Sequence, residues 1–149
     1  MLLRITVRKF QAGDMDRILE VEHASFGKDA YDRNLFAEFS HKCGDLFLVA
    51  ERRSRICGYI VTCIRGDRAE LVSIAIDPAV RGRGAGSALL ESTLRRLLRR
   101  RVSRWGLIVR VSNTPGRVLY AKHGFRKLRI APGYYEDGED GLVMTKSLP

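Results

Sequence analysis

Residues 81–86, Arg-Gly-Arg-Gly-Ala-Gly, set three glycines between an apolar run and a leucine-bearing segment, and this junction constrains the fold more than any other stretch. The run before it, Ala69-Glu70-Leu71-Val72-Ser73-Ile74-Ala75-Ile76-Asp77, reads as a buried strand. The segment after it predicts a helix from about Gly86 to Arg100, with Leu90, Leu94, Leu97 and Leu98 as an inward stripe and Arg95, Arg96, Arg99 and Arg100 on the remaining surface. Glycines allow a backbone to approach a ligand closely and to turn its N–H groups toward it. A helix that starts there adds free amides, equivalent to about half a positive charge. A pyrophosphate suits such a place, and Arg81 and Arg83 supply further charge at its rim. The competing reading is a solvent-exposed turn. A phosphate loop of the Gly-Lys-Ser/Thr kind is excluded, because no lysine precedes Ser87. A dinucleotide fingerprint fails as well: Ser87 stands where the third glycine belongs, and the acidic position about 20 residues on falls among basic residues near Arg101.

Around this unit the pattern predicts a strand over 3–8, a helix over about 13–24 with Asp14 near its N-cap, and a second helix over 32–41 carrying Leu35, Phe36 and Phe39. Two apolar runs, 46–50 and 56–64, flank the polar turn Arg52-Arg53-Ser54-Arg55 and predict a hairpin. Leu107 to Val111 reads as a short buried strand, and Asn113 to His123 as a helix stopped by Gly124. Strands at 125–130 and 142–147 close the chain. Hairpins with one strand–loop–helix–strand unit predict a mixed α/β sheet, and the absence of a linker or repeat over 149 residues predicts a single domain, 1–149.

Three cysteines, Cys43, Cys57 and Cys63, lack a C-x-x-C spacing and are expected to be reduced thiols in or near the core. His23, His41 and His123 are scattered, so no metal site is expected. No apolar stretch approaches the ~20 residues of a membrane span, and the start of the chain lacks the apolar block of a secretory signal, which points to a cytoplasmic protein. Lysine and arginine outnumber aspartate and glutamate by 27 to 17, a net charge of +10 that favours polyanionic partners without choosing among them.

Arg81-x-x-Gly84-x-Gly86 after the strand ending Ile76-Asp77-Pro78 resembles the acetyl-CoA motif of GNAT acetyltransferases. Val109-Arg110-Val111-Ser112-Asn113, then Leu119-Tyr120-Ala121-Lys122-His123-Gly124-Phe125, then Gly133-Tyr134-Tyr135-Glu136-Asp137-Gly138-Glu139-Asp140, resemble the RimI-like N-terminal (Nα) acetyltransferases within that superfamily. The likeness is specific over residues 70–146 and loose over the first 65. It implies a central, mostly antiparallel sheet with a splayed parallel strand pair and flanking helices. It further implies that backbone groups of Ile74, Ala75 and Ile76 bond the pantetheine arm of acetyl-CoA like an added strand. The amides of Gly82, Arg83, Gly84, Ala85, Gly86 and Ser87 would hold its diphosphate. Asn113 would contact the cofactor arm, and Tyr120 would lie near its sulfur.

Transfer to an amine requires a neutral nucleophile and a proton for the departing thiolate. An α-amine, with a pKa near 7.7–8.0, is partly neutral at cellular pH, whereas lysine at about 10.4 is not. Tyr120 is the candidate acid, since a phenol with pKa near 10 keeps its proton at neutral pH; the alternative is a core aromatic. Family members often carry a glutamate or histidine where this chain has Ile108, which takes no proton. Glu70 at the head of the preceding strand is therefore the candidate base, acting through water, against a plain solvated carboxylate. Tyr134 and Tyr135, before an acidic turn, and Tyr31 on the opposite loop are candidate walls of a substrate slot, or else packed aromatics. Arg95, Arg96, Arg99, Arg100, Arg101 and Arg104 read as a solvated helix face, with docking to a ribosome as the functional alternative; without interleaved aromatics they predict no specific nucleic-acid recognition. Three functions stay open: Nα-acetylation of a protein or peptide N-terminus, acetylation of a lysine or small amine, and a non-catalytic basic binding module on the same shell.

Overall fold

The computed structural model describes residues 4–149; Leu3, the first residue of the expected N-terminal strand, lies outside them. The strands follow the order β1 (Ile5–Lys9), β2 (Phe47–Arg52), β3 (Arg55–Arg65), β4 (Arg68–Ile76), β5 (Arg104–Arg110), β7 (Gly141–Ser147) and β6 (Arg126–Ala131) in one seven-stranded sheet. Among the described residues four α-helices accompany them, α1 (Met15–Phe26), α2 (Arg33–Lys42), α3 (Ala85–Leu97) and α4 (Thr114–Lys122). This is the mixed sheet that the sequence predicts. The chain divides into two compact units, one running to Cys63 and resuming over Val72–Arg96, the other comprising Ile64–Leu71 and Leu97–Pro149.

In the first unit β1, β2 and β3 pair antiparallel. The turn between β2 and β3 places Arg53 and Ser54 at φ +55° and +61°, the left-handed pair that matches the twist of a two-residue hairpin. The core joins Met15, Ile18 and Val21 of α1 and Phe36 of α2 to Phe47, Val49, Tyr59, Val61 and Ala75 of the sheet. Asp32 caps α2, its Oδ1 accepting the Leu35 N–H at 2.9 Å. Asp14 does stand at the N-cap position of α1, but its carboxylate turns backward, accepting from Gln11 N at 2.7 Å and from the Arg8 guanidinium at 2.8 and 2.9 Å. The Arg8 contact, opposed by partial burial, holds that carboxyl below its usual range.

Two expectations are corrected. Cys43 and Cys63 form a disulfide, with Cα atoms 4.9 Å apart, and only Cys57 is a free buried thiol. Their 20-residue separation carries no local signature, because the end of α2 meets β3 only through tertiary packing. The leucine stripe of α3 is also shifted. The helix stops at Leu97, so Leu98 lies beyond its last turn at 47% exposure, while Leu89 is fully buried beside Leu90.

In the second unit, β4 and β5 run parallel over Arg68–Glu70 against Arg104–Gly106, and β5, β7 and β6 continue antiparallel. Trp105, Leu107 and Val109 alternate inward along β5 and join Leu142 and Met144 of β7 among the buried side chains. Trp105 packs on Phe125, and Phe125 meets Tyr120 edge-on at 6.0 Å.

Candidate active site

The glycine loop owes its course to backbone conformation. Gly82 and Gly84 adopt φ +76° and +90°, a region in which a side-chain-bearing residue is strained, and open space lies where a Cβ would project from either. The path is therefore imposed by φ and not by crowding, which leaves room for a ligand against the chain. The Ala88 N–H bonds back to Gly84 O at 3.0 Å, so the amides of the first turn of α3 face out of the helix end, as at any helix start. Arg81 is exposed; its guanidinium reaches Ile76 O at 3.3 Å and Ser25 Oγ at 3.4 Å, which keeps it beside the end of β4. Arg83 is exposed as well.

The end of the strand leading into the loop is tied down through Asp77. Arg17 donates to Asp77 at 2.6 Å and to Ile56 O at 2.9 Å, and Asp77 caps the turn after β4 by accepting from Ala79 N at 3.0 Å. These bonds, the backbone one first, lower the Asp77 carboxyl below its usual range. Ala75 is buried and Ile74 and Ile76 are half-buried at the end of the strand that leads into the loop. An open, amide-lined turn with arginines at its rim fits a diphosphate, and the residues present fit coenzyme A in that respect. Tyr31 lies elsewhere in this unit. Its ring is edge-on to Phe36 and Phe39 and half-buried against the core, and it lines a shallow depression with Ala30, Asp32 and Leu35.

In the second unit Asn113 caps α4, its Oδ1 accepting from Gly116 N at 3.0 Å. This fixes the start of the helix that carries Tyr120. The Tyr120 ring is buried, at 7% exposure, with no hydrogen-bond partner for its hydroxyl among the described residues. Burial first, and Tyr135 second, push its phenol above the usual range. It therefore holds its proton throughout neutral pH, the state a proton donor needs. Glu70 is exposed and sits opposite Gly106 in the parallel register. Ile108 is half-buried on β5.

The hairpin tip is more tightly organised than its sequence shows. Arg110 donates to Asp137 at 2.8 Å and Glu139 at 2.9 Å, and its guanidinium stacks over Tyr135 at 4.1 Å. Two of the acids that the sequence offers to a cationic substrate are thus already engaged. Tyr135 meets Tyr134 edge-on at 5.0 Å, and Tyr134 remains 55% exposed. Among the described residues no three His, Cys, Asp or Glu side chains are grouped to hold a metal ion, and no helix is long and apolar enough to cross a membrane.

Residues 14–125 match the acetyltransferase (GNAT) family. The chain belongs to the GNAT acetyltransferases. Within this family it is similar to a putative ribosomal protein bS18-alanine N-acetyltransferase of Bacillus subtilis, 33% identical over 97% of this chain and 96% of that one. It is also similar to an N-alpha-acetyltransferase of Saccharolobus solfataricus, 30% identical over 96% of this chain and 93% of the relative. Among solved structures, the ribosomal-protein-S18-alanine N-acetyltransferase from Escherichia coli superposes with a TM-score of 0.85 at 27% identity, covering 97% of this chain and 94% of that one. This GNAT chain is an acetyl-CoA-dependent N-acetyltransferase.

One group went unread in the sequence. Glu22 of α1 is buried and bonded to Tyr59, and Tyr59 to Ser73. The signal was present: an acid four residues after Ile18 and directly after Val21 falls on the apolar face of the helix.

Proposed function

We propose that this GNAT protein transfers the acetyl group of acetyl-CoA to the α-amine of a protein N-terminus by direct attack while both substrates are bound. The observation that carries the reading is the strand–loop–helix turn at Gly82 and Gly84, open on its ligand side and backed by the first-turn amides of α3. The N-terminal choice is supported by the named activities of its relatives and by the milder chemistry of an α-amine, which is partly neutral without help from a strong base. In this reading the amides of Gly82–Ser87 and the side chains of Arg81 and Arg83 hold the diphosphate, and the backbone of Ile74, Ala75 and Ile76 holds the pantetheine arm with Asn113. Tyr120 donates its proton to the departing sulfur. Glu70 takes the amine proton through a water, and Tyr31, Tyr134 and Tyr135 flank the acceptor peptide. The protein works in the cytoplasm, and the arginines from Arg95 to Arg104 favour association with the ribosome.

Titration with acetyl-CoA followed by a peptide panel tests this. Acetylation of a peptide with a free terminus, and none of the same peptide with a blocked terminus and an internal lysine, is the expected result. Cofactor binding with no transfer to any amine identifies a binding module instead. Glu70→Gln is expected to lower kcat by about 100-fold with acetyl-CoA binding unchanged, the lower end of general acid–base catalysis; a kcat equal to wild type at every pH removes Glu70 from the reaction.

A further inference from the structure

The positive charge of the chain is unevenly placed. The second unit, taken by itself, holds thirteen lysines and arginines against six acids, and four of those acids crowd the tip between β6 and β7. Arg110 is held at that tip by Asp137 and Glu139. Away from it the unit is strongly basic. Arg68, Arg99, Arg101, Arg104, Arg126 and Arg129 are all exposed, and none of them bonds an acid among the described residues.

Strand register gathers these arginines. Arg68 lies opposite Arg104, Arg104 opposite Ser147, and Arg126 opposite Thr145, two residues along β7 from Ser147. Residues opposite one another share a face, as do residues two apart on a strand. The three arginines therefore line one face, while the buried Trp105, Leu107 and Met144 belong to the other. In a regular strand Arg129, three residues beyond Arg126, would face the opposite way. The register shift at Leu128 sets it opposite Val143, on the side of Thr145 and Ser147. Neighbouring strands lie about 4.8 Å apart, so the row from Arg68 across to Arg126 spans roughly 15 Å. The connection that carries Arg99 and Arg101 is tied to the same end of the sheet. Ser103 N–H donates to Asp67 O at 2.7 Å, Ser103 Oγ donates to Asp67 Oδ2 at 3.1 Å, and Leu148 N–H donates to Ser103 O at 2.9 Å. The acid beside Arg68 is thus already engaged.

We propose that this sheet face docks on the phosphate backbone of duplex RNA without reading its sequence. The proposal rests on the ribosome association put forward above, which it deepens by naming RNA as the partner, and it does not require acetyl transfer. Arginine keeps its charge at every physiological pH, and its planar fork matches the oxygens of a phosphate. Between the arginines the face presents Gly106, Thr145 and Ser147. None of these is the aromatic or large apolar anchor on which a protein interface depends. None offers a ring on which an unstacked base of a single strand would lie. Charge spread over an open face, without anchors, suits a duplex backbone. Ser147, exposed beside Arg104, adds a hydroxyl as partner for the ribose 2′-OH, the group that tells RNA from DNA.

Fluorescence anisotropy of a labelled RNA duplex with the full chain tests this, with no acetyl donor or acceptor present. Between about 50 and 200 mM salt the affinity should fall with a log–log slope of about −4 to −5, as for roughly five phosphates neutralised. Two duplexes of unrelated sequence should bind within about twofold of each other. A DNA duplex of the same sequence should bind about fivefold more weakly, the scale of one hydrogen bond, and Ser147→Ala should remove that difference. Arg126→Gln and Arg129→Gln should each flatten the salt slope by about 1, with acetylation of a free-terminus peptide within about twofold of wild type. Arg53→Gln, the same loss of charge in the β2–β3 turn, should leave the slope alone. No binding at the lower salt, equal affinity for RNA and DNA, or equal flattening by Arg53→Gln overturns the proposal. Displacement of the RNA by poly-glutamate at equal charge overturns it too, and assigns the face to an acidic protein. A chain that binds the duplex but acetylates no peptide sinks the transferase reading and leaves this one standing; the converse sinks this one alone.

Discussion

Tyr120→Phe is expected to lower kcat by about 100-fold or more while leaving the Kd for acetyl-CoA within about twofold. The phenylalanine ring fills the same buried place against Phe125, so the fold loses no packing, and only the proton is gone. A positioned acid contributes 100- to 10,000-fold in rate, and among the described residues this hydroxyl has no hydrogen bond whose loss would confound the measurement. Because burial raises the phenol above its ordinary range, the wild-type rate should show no loss of this donor as pH rises through 9. Stopped-flow or steady-state turnover against a free-terminus peptide measures both quantities. A Phe variant with wild-type kcat leaves Tyr120 as a packing residue.

The largest effect on stability is expected from Gly58→Val. A Cβ at Gly58 meets Ile76 Cδ1 at 2.7 Å and the Ala75 carbonyl oxygen at 2.8 Å. The isoleucine can rotate away, but the carbonyl is backbone and must move with its strand. Overpacking of this kind costs about 3 kcal/mol at the upper end of its usual range, or roughly 10 °C in Tm for a chain of this size. The displaced strand is the one proposed to bond the pantetheine arm, so acetyl-CoA binding should weaken in the protein that remains folded. Thermal unfolding and cofactor titration give two independent readings. Unchanged values in both show that β3 and β4 tolerate separation, which would remove the close approach as a constraint.

What the sequence could show was whatever is local. The left-handed glycines after a buried strand, the asparagine ahead of α4 and the Leu-Tyr block each act within a turn or two, and the structure places Asn113 as a cap and Gly82 and Gly84 at positive φ. Interactions over long separations were hidden. Arg110 lies 27 and 29 residues from the acids it binds, so the acidic turn read as exposed charge. Glu22 and Tyr59 are 37 residues apart, and only their meeting turns a stray acid on an apolar helix face into an ordered network. Leu98 fitted the helical period but lies beyond the end of the helix, since periodicity does not mark where the last turn breaks.

The bond between Cys43 and Cys63 has a bearing on how the first half of the chain is held. It closes a covalent ring that starts just after α2 and takes in β2 and most of β3, and a ring of that length stabilises a fold by about 3 kcal/mol through the freedom it removes from the unfolded chain. The element that follows the Tyr31 loop is thereby stapled to the strand bearing Tyr59. Thiol–disulfide balance in its surroundings thus sets how firmly the protein's first half is anchored, while the glycine turn, which contains no cysteine, is built without it.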